Sequence, residues 1–203
     1  MKIEYIGSGY GGFPCCLSLL NESSVVFDVG VGQDISFALG VYHKINCNIE
    51  LFDFTLESIS WYKKYHQQLK NLNYNEYGVS DFNGMHKVGG DARKRGVWLG
   101  ASHTETHLVK TLKSIMKEKK IKHIDLLKLD IEGEEYKVIP NMFKDNIYPT
   151  QICIEEHSRF LKGKQIHDNM FKLILESYIL AGRKPNSFEY CFIKKGAEKV
   201  LSR

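Results

Sequence analysis

No stretch of the chain stays apolar for the roughly 20 residues that a bilayer-spanning helix needs, so no helical membrane span is expected. The first residues, Met1-Lys2-Ile3-Glu4-Tyr5, lack the apolar run and small-residue cleavage site of a secretory leader. Proline is scarce, at 4 of 203 residues, which argues against a proline-rich linker or low-complexity tract. The five cysteines (Cys15, Cys16, Cys47, Cys153 and Cys191) are odd in number and show neither CxxC nor Cys/His spacing. Free thiols in a reducing cytoplasm are therefore expected rather than a disulfide framework or a zinc site. Charge is nearly balanced, at +4, and the one lysine cluster (Lys117, Lys119, Lys120, Lys122) reads as a solvated helix end. Charge therefore says little about the partner, and neither a nucleic acid nor a membrane span is expected. What remains is an ordinary globular composition, 43% hydrophobic and 26% charged, and one domain over 1–203 is expected.

Strand-like and helix-like segments alternate along it. Short apolar runs occur at Val25–Val29, Ile49–Asp53, Tyr74–Ser80, Ile124–Ile131, Ile152–Ile154 and Phe188–Ile193. Helical patterns lie at Leu56–Leu69, at Val109, Leu112, Ile115 and Met116, and at Ile166–Leu180, which Gly182 ends. Ser102-His103-Thr104-Glu105 has the spacing of a capping box for the second of these helices. Such alternation implies a largely parallel sheet with helices on both faces, an α/β/α sandwich. In open sheets of this kind, ligands sit at the carboxyl ends of the strands.

The first apolar run enters Asp28-Val29-Gly30-Val31-Gly32-Gln33-Asp34. Glycines there let the backbone approach a ligand that any Cβ would meet. The third glycine of a dinucleotide turn is replaced by Ile35, and Asp53 ends the next strand about 20 residues on, where an acid would take ribose hydroxyls. Glycines that merely turn the chain and an Asp53 that caps the next helix are the plainer alternative. Strand, GxG, spacing and acid together favour a nucleoside cofactor held by Asp28, Gly30, Gly32, Gln33, Asp34, Asp53 and Phe54. Gly78, Val79 and Ser80, closing the third strand, are placed at its adenine.

The segment Ile124-Asp125-Leu126-Leu127-Lys128-Leu129-Asp130-Ile131-Glu132-Gly133-Glu134-Glu135 is the most informative. Alternation sets Lys128, Asp130 and Glu132 on one side of an apolar strand. Ionised groups are costly there without partners, so they mark a site. The run LLKLDIEGEE, with VVFDVGVGQDISF and ELFDFT upstream, resembles FkbM-type methyltransferases from about Tyr5 to Ile193. Phe54 departs from the proline that often follows the acid in that family. The resemblance implies a class I (Rossmann-like) methyltransferase sheet of about seven strands with the last antiparallel. It also implies S-adenosylmethionine at Asp28, Gly30, Gly32 and Asp53, with Asp130 near the transferred methyl. Sugar hydroxyls, in glycans or natural products, are the acceptors it suggests.

A hydroxyl is a poor nucleophile, so a general base or a metal is needed. Asp130, Glu132 and the cluster Glu155-Glu156-His157 are the candidates at the strand ends. His157 titrates near neutrality and ranks first as a neutral base, with Glu155 on its side of the strand. It could instead cap a turn, and Glu155 or Glu156 could pair with Arg159. Asp130, Glu155 and Glu156 could also supply oxygen ligands to magnesium. His103 and His107 are spaced i, i+4, yet HTETH is not the HExxH of zinc proteases. Tyr10-Gly11-Gly12 could fold over the cofactor or be a flexible arm.

Three other functions are weighed. The missing third glycine speaks against an oxidoreductase; no [DN]PP[YF] tetrapeptide supports a nucleic-acid methyltransferase, and the strand-end cysteines Cys153 and Cys191 lack a preceding proline. A non-catalytic module would not need Asp28, Gly30, Gly32, Asp53 and Asp130 together. The short flanks suggest a domain cut from a larger glycan-assembly protein with a glycosyltransferase alongside.

Overall fold

The computed structural model describes residues 1–66, 69–91, 96–98, 103–158 and 164–197. A hairpin of β1 (Glu4–Ile6) and β2 (Phe13–Cys15) leads into β3 (Val25–Val29), α1 (Ser36–Ile45), β4 (Asn48–Phe52), α2 (Leu56–Tyr65) and β5 (Leu72–Asn75). A meander follows: β6 (Gly78–Val79), β7 (Gly84–Asp91), β8 (Gly96–Trp98) and β9 (His103–Lys110). The chain then runs through α3 (Leu112–Glu118), β10 (Leu126–Leu129), α4 (Glu135–Lys144), β11 (Gln151–Glu155), α5 (Lys164–Ser177), β12 (Tyr178–Arg183) and β13 (Glu189–Lys194). Seven strands form one sheet in the order β12-β13-β11-β10-β3-β4-β5, with β13 antiparallel to both neighbours. The expected α/β/α sandwich with its last strand antiparallel is the fold observed.

Strand alternation sorts the core into two layers. Val26, Ile49, Leu51, Leu126, Cys153 and Cys191 face α1, α2 and the hairpin, while Phe27, Val29, Leu127, Leu129, Ile152 and Phe192 face α3, α4 and α5. Residues of both sets are fully buried, as central parallel strands require. Over β11 and β13 the hairpin takes the place of a helix. Gln151, itself fully buried, fastens it, with its amide accepting from Cys16 N at 2.9 Å and donating to Cys16 O at 3.1 Å. All five cysteines are buried free thiols. No described helix is long and apolar enough to cross a membrane.

Three expectations change. Tyr74–Ser80 is not one strand: Asn75 spends its side-chain amide on Leu51 O at 2.9 Å, and Gly78–Val79 leaves the main sheet to pair with β9. The predicted helix start at His103–Glu105 is instead part of β9, paired along its length with β7. Here β-branched threonines and valine outweighed an apparent helical period, and Ser102 of the predicted capping box lies outside the described residues. The true cap of α3 is Thr111, whose hydroxyl accepts from Ser114 N at 3.2 Å. Finally, the last helix stops at Ser177, because Tyr178 is fully buried with its hydroxyl donating to Pro149 O at 2.8 Å, and Tyr178–Arg183 forms an unforeseen strand.

Replacing Gln151 by leucine strips partners from two buried backbone groups of Cys16 without changing the apolar layer much. At about 1–3 kcal/mol for each group, urea unfolding is expected to show a loss of about 2–6 kcal/mol. A loss under about 0.5 kcal/mol would mean that the hairpin is held by apolar contact alone.

Candidate active site

The carboxyl ends of β3, β4 and β10 meet at the glycine turn. Gly30 has φ +78°, and a Cβ on it would lie 1.7 Å from Asp130 O, so no side chain fits where β3 passes β10. Gly32, at φ +54°, is different: an added Cβ would meet nothing within 4 Å. The space above it is open, as a bound group requires. Gly32 N donates to Asp53 Oδ2 at 2.8 Å, while Thr55 N and Oγ1 donate to Asp53 Oδ1 at 2.8 and 2.7 Å. A carboxylate has roughly four acceptor positions, so with three taken Asp53 keeps about one for a hydroxyl.

The other residues of the turn are placed less directly. Asp28 is buried and paired with Lys128 at 2.8 Å, beneath the turn rather than at its surface. Burial works against the charge of Lys128, but Asp28 and Asp130 outweigh it and hold the ammonium protonated. The Phe13 ring of the hairpin covers that ammonium, 4.9 Å away. Gln33 is exposed. Asp34 accepts from Ser36 N, Gly11 N and the Ser8 hydroxyl, tying the Ser8–Gly11 loop to the start of α1. The glycine arm around Tyr10 is thus fastened beside the turn.

Beyond β10, Glu132 adopts φ +55° and Gly133 φ +103°, an unusual conformation for glutamate that turns the chain sharply. Glu135, fully buried at the start of α4, holds this turn by accepting from Ile131 N at 2.9 Å and Gly133 N at 2.7 Å. It also receives His157 Nδ1 at 2.8 Å. The other ring nitrogen of His157 faces Glu132 at 3.5 Å, Glu155 at 3.6 Å and Asp130 at 3.8 Å. Four carboxylates thus surround one buried imidazole. Burial alone would lower its pKa, but the hydrogen bond and charge of Glu135, with Glu132 and Asp130, push it up to about 9. His157 is therefore an imidazolium at neutral pH, not the neutral imidazole expected. Asp130 moves the other way from an ordinary carboxyl: burial and Glu155 raise it to about 7 against the pull of Lys128 and His157. About a quarter of the Asp130 side chain, 24%, remains open to solvent.

Asp130, Glu155 and His157 each offer an atom within 4.8 Å of the other two, and are the set able to hold a metal ion among the described residues. Glu156 points elsewhere, accepting from the Tyr136 hydroxyl and from Ser158 N at 2.6 Å. It does not join the other two expected oxygen ligands. Arg159, its possible partner, lies outside the described residues.

Where adenine contacts were expected, Gly78 packs against the Phe54 ring, Val79 is buried, and the Ser80 hydroxyl is committed to Glu134. Glu134 is also 3.9 Å from His86 Nε2 and 3.1 Å from Lys137. The sequence reading missed Glu135 and the meander. Four acids in the Asp130–Glu135 run signalled a charged turn but could not say which one was buried.

The FkbM methyltransferase domain model matches residues 21–180, most of the chain. No curated protein matches. Among solved structures, the chain is similar to the Methanococcus jannaschii fibrillarin pre-rRNA processing protein, with 10% identity, TM-score 0.50, and 96% of this chain and 84% of that one covered. It is likewise similar to a chain of a fibrillarin/Nop5p complex, with 9% identity, TM-score 0.51, and 86% and 74% covered. At these identities the likeness speaks for the fold alone. The family match carries more: the chain belongs to the FkbM methyltransferase domain family and is an S-adenosylmethionine-dependent methyltransferase.

Proposed function

We propose that the acceptor is a hydroxyl oxygen, on a sugar of a glycan or glycoconjugate, and that Asp130 takes its proton. The observation that carries this reading is the placement of Asp130. Its carbonyl touches Gly30 of the cofactor turn, and its carboxylate, poised at about 7, is 3.8 Å from the His157 imidazolium. A hydroxyl must lose its proton to attack, and an acid of near-neutral pKa with a fixed cation beside it suits that task. Bound S-adenosylmethionine supplies a methyl carbon activated by its sulfonium.

The chain's own residues do the rest. Gly30 lets β3 pass β10, Gly32 leaves room above the turn, and Asp53 accepts a ribose hydroxyl. Phe54, with Gly78, Val79 and Ser80 behind it, borders the adenine. Gln33 lies at the mouth, Asp34 fixes the Ser8–Gly11 loop beside it, and Asp28 anchors β3 to β10 from below. Glu132, Glu135 and Glu155 keep His157 charged, and His157 steadies the ionised Asp130. Buried free thiols favour a cytoplasmic setting, and a glycosyltransferase, fused or associated, would present the sugar.

A second reading has an observation of its own. The convergence of Asp130, Glu155 and His157 within 4.8 Å would let a magnesium ion or similar cation bind the acceptor oxygen and acidify it. Turnover that survives EDTA removes this reading; turnover lost to EDTA and restored by magnesium selects it.

Calorimetry is expected to show S-adenosylhomocysteine binding and no NAD binding, with Asp53→Ala weakening the former by about 1–3 kcal/mol. Unchanged affinity in that variant would refute the ribose role. For turnover on a sugar acceptor such as a methyl rhamnoside, kcat/KM should rise with pH as Asp130 ionises near 7. It should fall again as His157 loses its proton near 9. Asp130→Asn should bind S-adenosylhomocysteine normally yet turn over about 100-fold or more slowly; undiminished turnover would exclude Asp130 as the base.

A further inference from the structure

We propose that His107, on the meander, is a positioning residue that holds the Phe54 ring as a wall of the adenine pocket, an inference that rests on the cofactor reading above. Phe54 directly follows Asp53, whose carboxylate is bonded to Gly32 N of the glycine turn, so its backbone is fixed beside the cofactor. Its ring is boxed from two directions. The His107 imidazole lies over one side, with centroids 4.5 Å apart and planes at 26°. Gly78 lies at its edge, where an added Cβ would stand 2.7 Å from Phe54 Cδ1 and 3.0 Å from Cε1. Phe54 remains only half-buried, so the ring still presents surface for a flat partner.

The box itself is braced. Gly78 pairs in register with Val109, two residues beyond His107 on β9, so both sides of the box move with one strand pair. His107 stands opposite His86 across β7 and β9, and His86 Nε2 comes within 3.9 Å of the buried Glu134. Ser80, after β6, donates to the same carboxylate. The base of the meander is thereby joined to the start of α4 as well as to Phe54. An aromatic ring held flat by a second ring gives a purine a preorganised stacking face, which a loose phenylalanine would have to order on binding.

The test is calorimetric titration of the full chain with S-adenosylhomocysteine, alongside melting temperatures. His107→Ala and Gly78→Ala are each expected to weaken binding about 3- to 10-fold. The ring in His107→Phe should restore it, which a merely structural loss would not do. In a Phe54→Leu background, His107→Ala should have no further effect. Wild-type affinity in His107→Ala, or an undiminished His107→Ala effect without the Phe54 ring, would overturn the proposal. No binding by the wild-type chain would overturn the cofactor reading beneath it instead.

Discussion

The carbonyl of Asp130 occupies the space that a side chain at residue 30 would need, 1.7 Å from where its Cβ would be. That contact brings the ends of β3 and β10 together more closely than two ordinary residues permit. Much else depends on it. It fixes the path of the glycine turn, and so the position of Gly32 N and of the Asp53 carboxylate that accepts from it. It also places the Asp130 carboxylate at the mouth of the same turn. The open space above Gly32 and the position of the Asp130 carboxylate are two sides of one backbone approach.

Charge is concentrated around this contact at considerable cost, because buried ions need both partners and hydrogen bonds. Below it, Asp28 and Lys128 neutralise one another under the Phe13 ring of the hairpin. Beside it, His157 is held by Glu135, which also closes the Ile131–Gly133 turn through two backbone bonds. One buried glutamate therefore sets both the backbone that carries Glu132 and the charge state of the imidazole facing Asp130. The distinct characters of Asp130 and His157 follow from their surroundings, not from their residue types.

Much of this was legible in order. Val25–Val29 and the LLKLDIEGEE run announced the two central strands, because buried parallel strands read as continuous apolar runs and an acid at their ends stands out. The GxG spacing pointed to Asp53 as a neighbour of the turn, and Gly32 N does donate to its carboxylate. Less local features were hidden. The charge on His157 depends on four carboxylates brought from the Asp130–Glu135 turn and from β11, which no spacing reveals. Glu155 and Glu156 are adjacent in sequence, yet one faces the site and the other bonds Tyr136. The meander failed for another reason: its threonines and histidines repeat at intervals that suit a helix as well as a strand, and only pairing with β7 decides between them.

The most direct measurement is the affinity of Gly30→Ala for S-adenosylhomocysteine, with circular dichroism to follow the fold. A methyl group there must push β3 and β10 apart at the turn, and overpacking of this kind should weaken binding by about ten- to a hundredfold. The sheet and helices, anchored elsewhere, should remain. Wild-type affinity in Gly30→Ala would contradict the claim that this contact organises the site.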